Sequence, residues 1–192
     1  MFSGITEIKM PIKRIAENKG NLLIEIVKPP KWKLNIGESV LVDGICSTVI
    51  NKNSSFLVEY MPETLSKTNI SLRKKGEQVN LEKSLRLSDV LSGHLVTGHI
   101  DTAGKVKNIT TAGNSKVIEF GFKGNFSKYL VNKGSVAVNG VSLTVVNTGK
   151  KSFTVSLMPH TLKITNLGEL KIGDTVNLEF DMIAKYLEGL VK

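Results

Sequence analysis

The chain has 192 residues, 41% of them hydrophobic and 22% charged, which suits a folded protein with a packed core. No apolar run approaches the roughly 18–20 residues that span a bilayer, the N-terminus lacks the basic-then-apolar pattern of a secretion signal, and a single cysteine excludes an internal disulfide; a cytoplasmic protein is expected. The net charge of +9 invites a nucleic-acid reading, but the basic residues are scattered and aromatics make up only 6%, so neither a nucleic acid nor a membrane is expected as partner.

In chain order, "ESVLVDGICSTVI" (residues 38–50) is rich in Val and Ile around an Asp-Gly turn signal, and "SSFLVEYM" (54–61) alternates Phe56, Val58 and Tyr60 on one face. Short helical turns are expected after "MPETL" (61–65) and "SLRLSDVLSG" (84–93). The pattern then returns. "GSVAVNGVSLTVV" (134–146) carries an Asn-Gly turn signal and "SFTVSLM" (152–158) follows it. In the last stretch, "FDMIAKYLEGLVK", the period changes: Ile183, Tyr186, Leu187 and Leu190 form one apolar stripe at helical spacing, and Asp181 reads either as a weak site candidate or as the cap of the helix.

The return is a duplication. Gly44, Cys46, Thr48, Val49 and Asn51 match Gly140, Ser142, Thr144, Val145 and Asn147 at an offset of 96. "MPETLSKTNI" matches "MPHTLKITNL", and "GEQVNLE" matches "GDTVNLE", both at 97. Two copies of a unit this long, each built of short strands with frequent turn signals, predict tandem antiparallel barrels rather than a solenoid. The helical stripe has nothing obvious left to cover and suggests packing against copies of itself.

The chemistry-bearing candidates are few. "SGHLVTGHID" holds His94 and His99. A zinc site of these two with Cys46 is disfavoured, because residues five apart on a strand point to opposite faces unless a bulge intervenes, and a closed site wants a fourth ligand. No metal is expected. Cys46, Thr48, Ser142 and Thr144 read equally as strand residues when taken alone.

Taken together, "MFSGITE", "MPETL", "GHLVTGHID", "NGVSLTV", "MPHTL" and "VNLEFDMIAKY" resemble the riboflavin synthases, in order and over essentially the whole chain. The resemblance implies an all-β fold of two tandem six-stranded Greek-key barrels with a C-terminal amphipathic helix. The boundaries expected are residues 1–94 and 95–181 for the barrels and 182–192 for a helix that joins a homotrimer. It further implies dismutation of two molecules of 6,7-dimethyl-8-ribityllumazine by transfer of a four-carbon unit, without metal or redox cofactor, and it leaves open association with lumazine synthase. The N-terminal barrel of one subunit would face the C-terminal barrel of its neighbour, so that duplication supplies two similar pockets for two identical substrates.

Carried over residue by residue, Gly4, Ile5 and Thr6 are expected to line a first pocket with Cys46, Ser47 and Thr48 and the run Glu59, Tyr60, Met61, Pro62, Glu63 and Thr64. Gly98, His99 and Ile100, with Lys133, Ser142, Leu143, Thr144, Ser156, Leu157, Met158, Pro159, His160 and Thr161, are expected to line a second. Cys46, His99, Ser142 and Thr144 are the catalytic candidates. His99 is expected at a barrel mouth as a general base, Cys46 as a nucleophile or an orienting group, and His94 as a support for the inter-barrel linker. Two departures stand out: Ser47, where the family often has an apolar residue, and His160, where Glu is frequent. The competing reading is a non-catalytic lumazine-binding antenna protein, a branch that lacks the paired Gly-His motif present here at Gly93–His94 and Gly98–His99.

Overall fold

A computed structural model describes residues 1–191. The first repeat supplies β1 (Ile8–Asn18), β2 (Asn21–Val27), β3 (Ser39–Val42), β4 (Ile45–Thr48), β5 (Asn51–Lys52), β6 (Ser55–Tyr60), helix α1 (Pro62–Lys67) and β7 (Gln78–Lys83). The second supplies β8 (Thr102–Ala112), β9 (Ser115–Phe122), β10 (Ser135–Val138), β11 (Val141–Thr148), β12 (Ser152–Leu157), α2 (Pro159–Ile164) and β13 (Thr175–Phe180), and α3 (Met182–Leu190) follows.

Strand pairing is the same in both halves and antiparallel throughout. The second repeat is a closed six-stranded barrel in the order β10-β11-β12-β9-β8-β13. The first is a seven-stranded sheet in the order β4-β3-β7-β1-β2-β6-β5. The extra strand is a break, not an addition. β4 and β5 are successive pieces of the segment that runs unbroken as β11 in the other half, so the sheet's two edges are joined by the chain at Val49–Ile50. The matching stretch of β11 bulges between Val145 and Asn147. A shorter hairpin after β5 leaves it only the pairs Asn51↔Leu57 and Lys52↔Phe56, so here the bulge splits the strand. The hairpin also locates the missing residue that moves the offset from 96 to 97.

The turn signals behave as their residues dictate. Asp43-Gly44 and Asn139-Gly140 link β3 to β4 and β10 to β11, with φ of 46° and 84° in the first and 45° and 78° in the second. Two successive positive φ values define the type I′ hairpin turn, which Asp, Asn and Gly tolerate. Alternation then sorts the strands. Phe56, Val58 and Tyr60 are all buried in the first barrel, as their spacing predicts, and Phe153, Val155 and Leu157 fill the second. Each fully buried Ile or Phe contributes about 1.5–3 kcal/mol.

Helix α1 forms at Pro62–Lys67, where the "MPETL" phrase led to a helical turn being expected, but no helix forms at residues 84–93 or between them and β8; Asp89 N donates to Arg86 O in a single turn. The physical reason is a better use of the backbone. Phe2 and Val96 exchange hydrogen bonds of 2.8 and 3.0 Å, and His94 N donates to Ser3 O, so the linker is laid along the N-terminal segment. In α3, Asp181 is the N-cap, its carboxylate accepting from Ile183 N at 2.9 Å. The predicted stripe is exposed, with Tyr186 at 68% and Leu190 at 82%.

Candidate functional site

The two barrels meet back to back about an approximate two-fold axis. A Cβ added to Gly44 would lie 2.7 Å from Gly140 N, and one added to Gly140 would lie 2.8 Å from Gly44 N, so the hairpin turns approach as closely as glycine permits. Around them lies a buried amide network that obeys the same symmetry. Asn80 N donates to Asp43 Oδ1, and Asn177 N to Asn139 Oδ1, both at 2.8 Å; Asn80 Nδ2 reaches Asn139 O while Asn177 Nδ2 reaches Asp43 O. Two positions, 43 and 73, break the symmetry. Asp43 is a fully buried acid, met at 2.6 Å by Arg73, where the second half has Asn139 and Leu170. Burial pushes the Asp43 carboxyl up, and the guanidinium beside it works against that rise.

Two loops run from this junction to the opposite barrel. Gly4 and Gly98 take φ of 73° and 81°. Gly4 O accepts from Ser142 N at 2.7 Å, and Gly98 O accepts from Cys46 N at 2.9 Å. A side chain at either glycine would strike the strand it covers: Gly98 would place a Cβ 2.6 Å from Cys46 N and Cβ, and Gly4 would place one 2.7 Å from Ser142 Cβ. Each loop is anchored by a buried carboxylate. Ser3 N and Oγ both donate to Glu82 Oε1 at 2.7 Å and Gly4 N donates to Oε2 at 3.0 Å; Thr97 N and Oγ1 donate to Glu179 Oε1 at 2.7 and 2.6 Å and Gly98 N donates to Oε2 at 2.9 Å.

The loops therefore cross over, which corrects the expected pocket membership. Gly98, His99 and Ile100 join Cys46, Glu63 and Thr64 in one cleft of about 240 Å³, whose other walls are Ile45, Lys67 and Thr68. Gly4 lies against Ser142 instead of Cys46. The sequence reading paired each loop with its own repeat; the back-to-back packing of the barrels hands it to the other.

The second location has a group the first lacks. His94 is 8% exposed, and its Nδ1 lies 2.7 Å from Ser142 Oγ. Its Nε2 is buried without a hydrogen-bond partner among the described residues. Burial lowers its pKa, so the imidazole is neutral near pH 7. An unpaired buried N–H is rarer than an unpaired acceptor, which favours the tautomer with the proton on Nδ1. The Ser142 hydroxyl then accepts from His94 and has its own proton free to donate outward.

Other expected site residues divide by strand alternation. On β4, Cys46 and Thr48 face outward, whereas Ser47 turns into the barrel at 2% exposure and lies 2.7 Å from the hydroxyl of Tyr60. Ser47 and Tyr60 thus form a core pair, and Leu143 and Leu157 fill the matching places in the second barrel. The side chains of these four cannot reach a ligand on the outer face. Ser142 and Thr144 lie outward on β11, and Ser156 outward on β12. Glu59 accepts from Asn18 and Asn21 Nδ2, which engages it with the β1–β2 hairpin. Met61 and Met158 are both 66% exposed ahead of their helices, Pro62 and Pro159 open α1 and α2, and Glu63 is paired with Lys67 at 2.8 Å. Ile5, His99, Lys133 and His160 are exposed, Thr64, Ile100 and Thr161 half-buried, and Thr6 buried. His94 and His99 serve different barrels, and no group of three His, Cys, Asp or Glu side chains arranged to hold a metal occurs among the described residues.

A family model described as "Lumazine binding domain" matches residues 3–84 and again residues 97–181. This chain belongs to the lumazine-binding domain family. The two matched stretches are the two repeats, and each brackets one barrel with the loop it lends to the other. The chain is similar to the riboflavin synthase of Actinobacillus pleuropneumoniae, 39% identical over 191 residues, covering 98% of this chain and 88% of the relative. It is also similar to the riboflavin synthase of Bacillus subtilis, 36% identical over 190 residues, covering 97% and 88%. Among solved structures, LumP complexed with riboflavin superposes with a TM-score of 0.86 at 25% identity, covering 94% of this chain and 99% of that one. Within these lumazine-binding repeats, sequence reading passed over Glu82 and Glu179, although each closes the matched phrase "VNLE" and a repeated buried acid was a signal in plain view.

Proposed function

We propose that the chain catalyses riboflavin formation, by dismutation of two molecules of 6,7-dimethyl-8-ribityllumazine. One molecule gives up four carbons and leaves as 5-amino-6-(ribitylamino)uracil; the other accepts them and becomes riboflavin. Atoms balance without a net redox change. The observation that carries this reading is the full-length similarity to riboflavin synthases, over a chain that holds two matched lumazine-binding repeats.

The chemistry needs a base to take a proton from the C7 methyl of one ring and an activated C7 on the other. Fixing two rings together accounts for most of the gain, because it replaces a bimolecular encounter; a positioned proton acceptor adds a factor of about 10²–10⁴. His99, exposed beside Cys46 in the 240 Å³ cleft, is the candidate base. Cys46 is a nucleophile toward C7 or an orienting contact. Ser142, held by His94, and its outward neighbour Thr144 hydrogen-bond the second ring. The Cys46 cleft and Ser142 lie on different barrels, and on this reading two rings meet where one subunit's first barrel faces another's second. The exposed stripe of α3 supports self-association, which we take to be the homotrimer that the family resemblance implies.

The test is to incubate the purified chain with the lumazine alone and follow riboflavin absorbance. Turnover at one riboflavin per two lumazines is expected. Tight binding of two lumazines per chain with no turnover would replace this reading by a non-catalytic binding protein.

A further inference from the structure

We propose that Glu82 and Glu179 are positioning residues, each building the ligand site of the opposite barrel: Glu82 fixes the Ser3–Ile5 loop over Ser142, and Glu179 fixes the Thr97–His99 loop over Cys46. For the identity of the ligand this rests on the reading above; for the geometry it rests on the hydrogen bonds themselves. Both side chains are almost wholly buried, at 4% and 2% exposure, and neither lines the cleft beside Cys46. A carboxylate buried so deeply needs donors, and each takes three: two backbone N–H groups and one hydroxyl of a loop that belongs to neither the core nor the sheet.

The chain of contacts continues to the ligand side. Ser3 Oγ, having donated to Glu82, accepts from Ile5 N, and Thr97 Oγ1, having donated to Glu179, accepts from His99 N, both at 3.2 Å. The loop tip is thereby turned so that the next carbonyl, of Gly4 or Gly98, meets the backbone N–H of Ser142 or Cys46. Each Glu thus acts on its loop tip through a hydroxyl and a backbone N–H. The consequence is counter-intuitive. Within its own barrel Glu82 pairs with Leu41, which in turn pairs with Cys46, so proximity along the sheet assigns it to the Cys46 cleft; its hydrogen bonds assign it to the Ser142 site.

Cys46 is the chain's single cysteine, so its rate of reaction with a thiol reagent reports the cover that the Gly98 loop places over it. The expected result is that Glu179→Gln speeds labelling of Cys46 tenfold or more while Glu82→Gln leaves it unchanged. Lumazine titration by calorimetry then reads the two sites. Glu179→Gln is expected to lose one binding event and retain another that does not protect Cys46; Glu82→Gln is expected to retain the one that does. A residue that merely stabilises the fold would move both sites together, and a residue serving its own barrel would give the reverse pattern; either outcome overturns the proposal. Should a Gln variant fail to fold, Thr97→Val removes only the hydroxyl link and is expected to speed Cys46 labelling several-fold, with Thr97→Ser restoring the wild-type rate; equal rates for the two would overturn the proposal. Labelling needs no ligand. A wild-type chain that binds no lumazine would therefore sink the functional reading while the labelling rates still decide the role of the carboxylates.

Discussion

The two halves of the molecule share a strand order, a turn type, a loop anchor and the buried pairs Asn80/Asn177 and Glu82/Glu179, yet differ at two other buried polar contacts. The first half buries Asp43 with Arg73, and Ser47 with Tyr60; the second has Asn139, Leu170, Leu143 and Leu157 at those places. On the ligand-facing side the contrast is Cys46 beneath the His99 loop against Ser142, bonded to His94, beneath the Ile5 loop. Shared strand order with divergent side chains suits the proposed reaction, in which two copies of one substrate take two chemical roles. Strand order is held constant; apart from the break between β4 and β5 and the shorter hairpin after it, the asymmetry lies in side chains.

The sharpest way to break the comparison is at the buried ion pair. Arg73→Leu gives the first half the second half's residue but strands Asp43, fully buried, without its counter-ion; a loss of about 3–5 kcal/mol is expected in urea melts. Adding Asp43→Asn completes the copy and should recover most of it. The single variant should also gain stability as pH falls. Burial already pushes the Asp43 carboxyl up, and a carboxyl whose folded pKa lies above its unfolded value binds its proton more tightly when folded, so stability grows on acidification through the folded pKa.

Next in size is the histidine found in one half only. His94→Gln is expected to lower kcat about tenfold to a hundredfold by releasing the Ser142 hydroxyl, with a smaller change in KM. The wild-type sign is opposite to that of Asp43. Burial depresses the His94 pKa, so the stability it contributes is present above the unfolded value and lost as pH falls through the folded one. Activity and thermal melts followed together from neutral to acid pH should show an acid-side loss of stability that His94→Gln abolishes.

A smaller effect separates core from site. Ser47→Ala leaves the Tyr60 hydroxyl buried without its partner and should cost about 1–3 kcal/mol. Ser47→Leu with Tyr60→Leu, which reproduces Leu143 and Leu157, should be nearly neutral and leave lumazine affinity unchanged, because these side chains face the barrel interior. Smallest is Asp181→Ala, which removes the cap of α3 for about 1 kcal/mol. Its more informative readout is sedimentation, where a frayed helix should weaken self-association.

Much of this was legible in the amino acids. The duplication, the two positive-φ hairpin turns at Asp43-Gly44 and Asn139-Gly140, the inward alternation of Phe56, Val58 and Tyr60, and the cap at Asp181 all follow from residues a few positions apart, where turn chemistry and side-chain period act directly. Legibility failed where a residue's meaning depends on a distant one. Ser47 reads from the sequence as a pocket residue but meets the Tyr60 hydroxyl inside the barrel, and the helical turn expected after Ser84–Gly93 gives way to pairing with the N-terminal segment.

The pocket membership is the clearest case. Sequence alone fixed that there would be two barrels and which residue types each would carry, because strand period and turn geometry are local properties. Only the tertiary structure decided that each barrel's loop serves the other. That outcome comes from two glycine turns packing backbone to backbone and from a carboxylate grasping a loop 79 residues away, and no periodicity in a chain encodes which of two similar strands a loop will meet once the halves are pressed together.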